Sequence, residues 1–134
     1  MNLLLDTHIL IWALNDDKRL SAKARELIMD PENTVCYSTV SLWEIAIKHA
    51  IHPDNVSFSG RELARFCQEA GFMSLEIRDK HVFAVETLTR PENAPRHADP
   101  FDRMLVAQAK AERMTLLTHD ALIPYYEEKC ILAV

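Results

Sequence analysis

Asn2-Leu3-Leu4-Leu5-Asp6-Thr7 is the stretch of sequence that decides the fold. Three consecutive leucines that lead into an acid and a hydroxyl are typical of a short strand buried on both faces of a sheet. The apolar residues from Ile9 to Leu14 then follow at helical spacing. Asp6 is therefore predicted to lie where a central parallel strand ends and a helix begins. In open α/β sheets, ligands bind at this edge.

Further strands and helices alternate along the chain. β-Branched and apolar runs predict strands at Thr34–Ser38, Met73–Ile77, Thr115–Thr118 and Ile131–Val134. Helical spacing predicts helices at Ala22–Met29, Val40–Lys48, Glu62–Ala70 and Lys80–Leu88, and another that begins at Asp99-Pro100 and runs to Ala111. This alternation predicts an α/β fold in which a mostly parallel, doubly wound sheet is flanked by helices, with residues 1–134 as one domain.

Composition excludes several classes of protein. Only two glycines, Gly60 and Gly71, are present, so neither a P-loop nor a dinucleotide-binding fingerprint is possible. Cys36, Cys67 and Cys130 are an odd number with no CxxC spacing, which favours neither a disulfide framework nor a zinc site. No apolar run approaches the roughly 20 residues of a membrane helix, and no signal peptide is recognisable. We therefore expect a cytoplasmic protein that does not contact membranes.

Four acids stand at equivalent places, where predicted strands end or helices begin: Asp6, Glu44, Asp102 and Asp120. In a parallel sheet these positions share one edge, so the carboxylates can converge. Two carboxylates about 4–5 Å apart repel each other by roughly 3–4 kcal/mol at an effective dielectric constant near 20. Such a cluster needs protonation or a bound cation, and an all-oxygen set favours Mg²⁺ or Mn²⁺. A divalent ion at an open edge suits phosphodiester hydrolysis.

Each acid also has a structural interpretation. Ser41-x-x-Glu44 fits a capping box, and Glu44 with Lys48 fits an i,i+4 ion pair. Asp99 before Pro100 is typical of a helix N-cap. Asp102 is placed to complete that cap, and Asp120 is placed to cap a short helix at Ala121. Because capping does not require an acid at every edge position, the joint pattern favours the metal site.

Four segments resemble the successive motifs of PIN-domain proteins, and in particular the VapC-type toxins of type II toxin–antitoxin pairs. They are Leu5–His8, Ser41–Ile45, His97–Ala109 and Leu117–Asp120. Each motif alone is weak, but together they span nearly the whole chain in order and with suitable spacing. The resemblance implies a Mg²⁺- or Mn²⁺-dependent endoribonuclease that acts on RNA, is inhibited by a cognate antitoxin and forms a homodimer.

The resemblance also implies roles for individual residues. The family's acids carry over onto Asp6, Glu44, Asp102 and Asp120 as metal ligands and catalytic residues. The third acid of the family precedes a Leu-Ile-Ala-like run. This places it on Asp102, and Asp99 is expected to support the site from a neighbouring position. Thr7 and Thr118 resemble the small polar residues that orient carboxylates or water. Ala98 departs from the pattern, since many relatives have a basic residue there, and Arg96, Arg103 and Lys48 are the candidate RNA contacts.

Two other functions remain open. In a haloacid dehalogenase-type phosphatase, Asp6 would be a covalent nucleophile, but this chemistry requires a second acid two residues later, where His8 stands. A catalytically inert PIN-fold module would bind RNA or a protein without cleaving. Among the aromatic residues, Trp12 and Trp43 are predicted to lie in the core.

Overall fold

The structure, a computed structural model, describes residues 1–134 and contains one five-stranded sheet in which every paired strand is parallel. The strands are β1 (Asn2–Leu5), β2 (Thr34–Ser38), β3 (Met73–Leu75), β4 (Thr115–Thr118) and β5 (Ile131–Ala133). Their order in the sheet is β3-β2-β1-β4-β5, so β1 is central. The predicted α/β fold with a parallel, doubly wound sheet is confirmed.

Six α-helices connect and cover these strands. They are α1 (Thr7–Asn15), α2 (Ala22–Met29), α3 (Thr39–Ile51), α4 (Gly60–Glu69), α5 (Asp79–Val85) and α6 (Pro100–Glu112), and a 3₁₀ helix spans Ile123–Tyr126. None of these helices combines the length and the apolar character that crossing a membrane requires. All three cysteines are free.

The leucines of β1 divide the core into two layers. Leu3 and Leu5 point to one face of the sheet and belong to an apolar cluster with residues of α1, α2 and α4. Leu4 points to the other face and packs with Leu105, Val106 and other residues of α6. All three leucines are fully buried. Successive side chains of a strand alternate between faces, so a run of three apolar residues is what a strand covered on both faces needs.

Several predicted boundaries are confirmed, and some are wrong. β2, β4 and α2 have the predicted bounds, and Ser21 caps α2 through a hydrogen bond from the backbone N–H of Ala24. Gly71 follows α4 with a φ of 83°, a left-handed conformation that favours glycine. The short helix predicted at Ala121 does not form. The chain instead forms a 3₁₀ helix at Ile123–Tyr126.

The predicted capping box of Ser41 and Glu44 is also wrong. Helix α3 begins at Thr39, and its N-cap is Ser38, whose hydroxyl accepts a hydrogen bond from the backbone N–H of Val40. Ser41 therefore lies in the first turn of the helix, after the residue that caps it. A true capping box occurs instead at the start of α4, between Ser59 and Glu62.

The central position of Leu4 predicts a large cost for truncating this side chain. We expect Leu4→Ala to lower the free energy of unfolding by about 2–5 kcal/mol, because a cavity remains between β1 and α6. Met29→Ala is the control, since Met29 is 74% exposed; its cost should stay near or below about 0.5 kcal/mol. Urea unfolding followed by circular dichroism measures both values. Equal costs for the two variants would contradict the assignment of β1 as the central strand.

Candidate active site

A small polar cavity opens at the carboxyl ends of β1 and β4. Its volume is about 80 Å³, and no hydrophobic residue lines it. The lining residues are Asp6, Thr7, His8, Glu44, Lys48, Asp99, Asp102 and Asp120. The structure thus brings all four predicted acids to one place, together with Asp99 and only one lysine.

Asp6 is the most enclosed of these acids. Its residue is 3% exposed, and its Oδ1 accepts a hydrogen bond of 2.8 Å from the backbone N–H of Ile9, which caps α1. Its Oδ2 accepts a hydrogen bond of 2.5 Å from the Thr118 hydroxyl on β4. Burial raises the pKa of Asp6, while the two hydrogen bonds act in the opposite direction. Thr118, predicted to orient a carboxylate, is in direct contact with one.

Glu44 reaches the cavity from the interior of α3. It is 5% exposed, and Lys48 Nζ donates a hydrogen bond of 2.5 Å to its Oε2. The predicted i,i+4 ion pair therefore forms. Lys48, which was also predicted to contact RNA, is engaged with a carboxylate inside the cavity in this structure.

Asp99 and Asp102 lie together at the start of α6. Asp99 is the predicted N-cap, because its Oδ1 accepts hydrogen bonds from the backbone N–H groups of Phe101 and Asp102, at 2.8 and 3.1 Å. Asp102 Oδ2 lies 3.2 Å from His97 Nε2. Burial, followed by repulsion from the carboxylates of Asp99 and Asp120, raises the pKa of Asp102 to about 6, although the contact with His97 acts in the opposite direction. Repulsion among acids is thus already evident in the pKa of one of them.

Asp120 is held by a local turn rather than by a helix. Its Oδ1 accepts a hydrogen bond of 2.7 Å from the backbone N–H of Leu122, and its own N–H donates to Thr118 Oγ1 at 3.0 Å. The Thr118 hydroxyl consequently accepts from Asp120 and donates to Asp6. One side chain of β4 therefore fixes the positions of two acids of the cavity.

Two buried side-chain hydrogen bonds join the elements that carry the acids of the cavity. The hydroxyls of Thr7 and Ser41 lie 2.9 Å apart and join α1 to α3. The Ser38 hydroxyl donates to Gln108 Oε1 at 2.5 Å and joins the end of β2 to α6. The supporting roles of Ser38 and Gln108 were not predicted. The available signal was a glutamine inside the run Val106–Ala109, at a helix position with apolar neighbours on both sides.

Some predicted residues lie elsewhere. Arg96 and Arg103 do not line the cavity, and Arg103 instead borders a groove next to Met104. Their role in RNA binding stays a prediction. Trp12 is buried as expected, but the core prediction for Trp43 is wrong, because that residue is 52% exposed. Its indole packs edge-on against Phe101 at 5.0 Å instead of entering the core.

The donor chemistry of the cavity fits a hard divalent cation. Five carboxylates face it and Lys48 supplies one positive charge, and carboxylate oxygens are the ligands that Mg²⁺ and Mn²⁺ prefer. Glu44, Asp99, Asp102 and Asp120 each keep one oxygen that accepts no hydrogen bond from the protein. No three His, Cys, Asp or Glu side chains are already arranged as a metal-ligand set. The acids are instead oriented by the internal donors described above.

Comparisons with known proteins agree with this architecture. The family model of the PIN domain matches residues 3–128. Among solved structures, one that resembles the chain is the crystal structure of VapBC2 from Rickettsia felis bound to a DNA fragment from their promoter. The match has a TM-score of 0.69 and 18% sequence identity, and it covers 100% of this chain and 98% of the other. No curated protein has significant similarity to the chain.

The raised pKa of Asp102 predicts that its charge destabilises the metal-free protein. An aspartate whose folded-state pKa exceeds its unfolded value favours folding at low pH, and this contribution is lost as pH rises from about 4 to about 6. The shift in pKa from 3.8 to about 6 limits the effect of this charge on the free energy of unfolding to about 3 kcal/mol. Partial exposure reduces the expected effect to about 1–2 kcal/mol.

We therefore expect Asp102→Asn to stabilise the protein at pH 7 in the presence of EDTA and to have little effect at pH 4. Urea unfolding at the two pH values measures the difference. Asp79→Asn is the control, since Asp79 is an exposed acid in the first turn of α5 and does not line the cavity. A destabilised Asp102→Asn protein at pH 7 would contradict the raised pKa that burial and the neighbouring carboxylates give Asp102.

Proposed function

The chain belongs to the PIN-domain family, and from this membership and the acidic cavity we propose that residues 1–134 form a Mg²⁺- or Mn²⁺-dependent endoribonuclease. The observation that carries the proposal is the convergence of five carboxylates on one cavity that no hydrophobic residue lines. Such a cavity offers no hydrophobic side chain to an apolar ligand, whereas it provides a cation with oxygen ligands and opposite charge. This favours chemistry on phosphodiesters over binding of apolar small molecules.

In the proposed mechanism, Asp6, Glu44, Asp102 and Asp120 hold the cation. Once bound, Mg²⁺ or Mn²⁺ supplies Lewis acidity, which makes water a better nucleophile and offsets negative charge on the phosphate. Thr118 keeps Asp6 oriented through its hydrogen bond of 2.5 Å. Asp99 keeps the first turn of α6 in place by capping it, and Thr7 joins α1 to α3. Positive charge toward the RNA backbone is proposed to come from Arg96 and Arg103, which lie outside the cavity, and from Lys48, which pairs with Glu44 inside it.

We further propose that the protein is the toxin of a type II toxin–antitoxin pair and acts in the cytoplasm as a homodimer. The similarity in fold to the toxin–antitoxin complex VapBC2 supports this assignment. The partner would be a small antitoxin protein that blocks access to the acidic cavity. Co-expression with the product of an adjacent gene tests it, since a stable complex should co-purify and suppress ribonuclease activity.

The two alternative functions differ from this proposal in measurable ways. A phosphatase of the haloacid dehalogenase type would need an acid two residues after Asp6. His8 occupies that position and lines the cavity, which disfavours this chemistry. Hydrolysis of p-nitrophenyl phosphate without RNA cleavage would support it. An inert PIN-fold module would bind RNA without Mn²⁺-dependent cleavage, whereas all four predicted acids are present in this chain.

Asp6→Asn provides the most direct test of the ribonuclease proposal. Asparagine caps a helix about as well as aspartate, so α1 and the fold should persist. The variant loses a charged ligand, so we expect cleavage to fall by more than the roughly 10–100-fold that loss of an outer hydrogen-bond partner costs. The measurement is Mn²⁺-dependent cleavage of a fluorophore–quencher RNA, with EDTA as the blank.

Asp16→Asn is the matched control for Asp6→Asn. Asp16 is an exposed acid at the end of α1, pairs with Arg25 and does not line the cavity, so cleavage should not change. Full activity of purified Asp6→Asn on the same RNA would refute the assignment. Calorimetric titration with Mn²⁺ adds a second readout, because an inert binding module need not take up the ion.

A further inference from the structure

His97 is a buried histidine in an otherwise exposed segment. It lies just before α6, where both of its neighbours, Arg96 and Ala98, are exposed. Its residue is 8% exposed. Its two ring nitrogens contact different partners: Nδ1 lies 2.7 Å from the Tyr126 hydroxyl, and Nε2 lies 3.2 Å from Asp102 Oδ2. The imidazole therefore bridges the 3₁₀ helix and an acid of the cavity.

The partners define which nitrogen of a neutral His97 carries the proton. An ionised Asp102 carboxylate only accepts hydrogen bonds, so Nε2 must be the protonated nitrogen that donates to it. Nδ1 then has a free lone pair, and the Tyr126 hydroxyl must donate to it. The result is a directed chain of hydrogen bonds from Tyr126 through His97 to Asp102.

Tyr126 is itself held in place. It is 2% exposed, and the Arg90 guanidinium lies 5.3 Å from the centre of its ring. Arg90 also donates a hydrogen bond to the carbonyl of Pro95, in the same segment as His97. Burial raises the pKa of Tyr126, so its hydroxyl keeps the proton that the chain requires. His97 meets Tyr126 edge-on, with ring centres 5.4 Å apart.

We propose that His97 is a positioning residue of the acidic cavity, which holds Asp102 in the orientation that binds a divalent cation, with Tyr126 fixing the tautomer of His97. The inference rests on the proposed function, because that function makes Asp102 one of the acids that hold the cation. The contact occupies Oδ2 and leaves Oδ1 without any hydrogen bond inside the protein. Hydrogen bonds to a ligating carboxylate commonly orient it for its metal in this way.

The first test is the affinity for Mn²⁺, measured by calorimetric titration of the whole protein. His97→Leu removes the donor and should weaken Mn²⁺ binding tenfold or more. His97→Gln restores an N–H donor near the position of Nε2 and should bind within about threefold of the wild type. A purely structural histidine would not be rescued selectively by the variant that can donate to Asp102.

The second test concerns Tyr126 and does not need metal. Tyr126→Phe removes only the hydroxyl and keeps the ring beneath Arg90, whereas Tyr125→Phe is the control, since Tyr125 is an exposed neighbour. Long-range ¹H–¹⁵N spectra of the metal-free protein should show His97 protonated at Nε2 in the wild type and in Tyr125→Phe. In Tyr126→Phe we expect a mixture of tautomers and Mn²⁺ binding that is several-fold weaker.

The outcomes separate this inference from the proposed function. If the wild type binds Mn²⁺, and folded His97→Leu and Tyr126→Phe bind it with the same affinity, the positioning role is contradicted and the proposed function is not. An Nδ1–H tautomer in the wild type contradicts the hydrogen-bond chain. A wild-type protein that takes up no Mn²⁺ contradicts the proposed function and, with it, the metal-positioning role of His97. Weaker Mn²⁺ binding in His97→Leu, together with nearly wild-type affinity in His97→Gln, supports the inference.

Discussion

The parallel pairing of β1 with β4 is the constraint on which both the core and the cavity depend. Leu5 pairs with Leu117, and the backbone N–H of Asp6 donates to the carbonyl of Leu117 at 3.1 Å. This register places Asp6 beside Thr118, whose hydroxyl donates to the acid. A slip of one residue would send Leu4 into the opposite apolar layer and move Thr118 away from Asp6. Packing of leucines thus determines the geometry of the site.

The fold could be predicted well because its signals are local. Thr34–Ser38 and Thr115–Thr118 are β-branched or apolar runs, and Ser21 is a cap next to the helix it begins. The errors arose where a distant residue decides the outcome. Ser38 both ends β2 and caps α3, and its hydroxyl donates to Gln108, 70 residues later. Trp43 is apolar at a helical position, but it stays about half exposed and packs edge-on against Phe101.

The convergence of the acids was predictable, and so were short-range contacts such as the N-cap of Asp99, whereas contacts between distant residues have no local signal. Parallel strands present their carboxyl ends at one edge, so acids placed after each strand had to approach one another. Asp6 is the exception to these short-range contacts, because its Oδ2 accepts a hydrogen bond from Thr118, 112 residues away. His97 is a comparable case, because its Nδ1 contacts the hydroxyl of Tyr126, 29 residues later. No local pattern identifies such a pair in a single sequence.

Capping and metal binding are not competing interpretations of these acids. Asp6 and Asp99 both cap helices, and Asp120 closes a turn, yet all three line the cavity. A carboxylate has two oxygens and about four lone pairs, so one oxygen can accept from the backbone while the other remains available. Asp99 and Asp120 use Oδ1 in this way and leave Oδ2 without a hydrogen bond from the protein. The structural bond fixes the side chain, and a fixed carboxylate loses less conformational entropy when it binds a cation. A cap at the edge of a parallel sheet therefore also orients a carboxylate for the cation proposed to bind there.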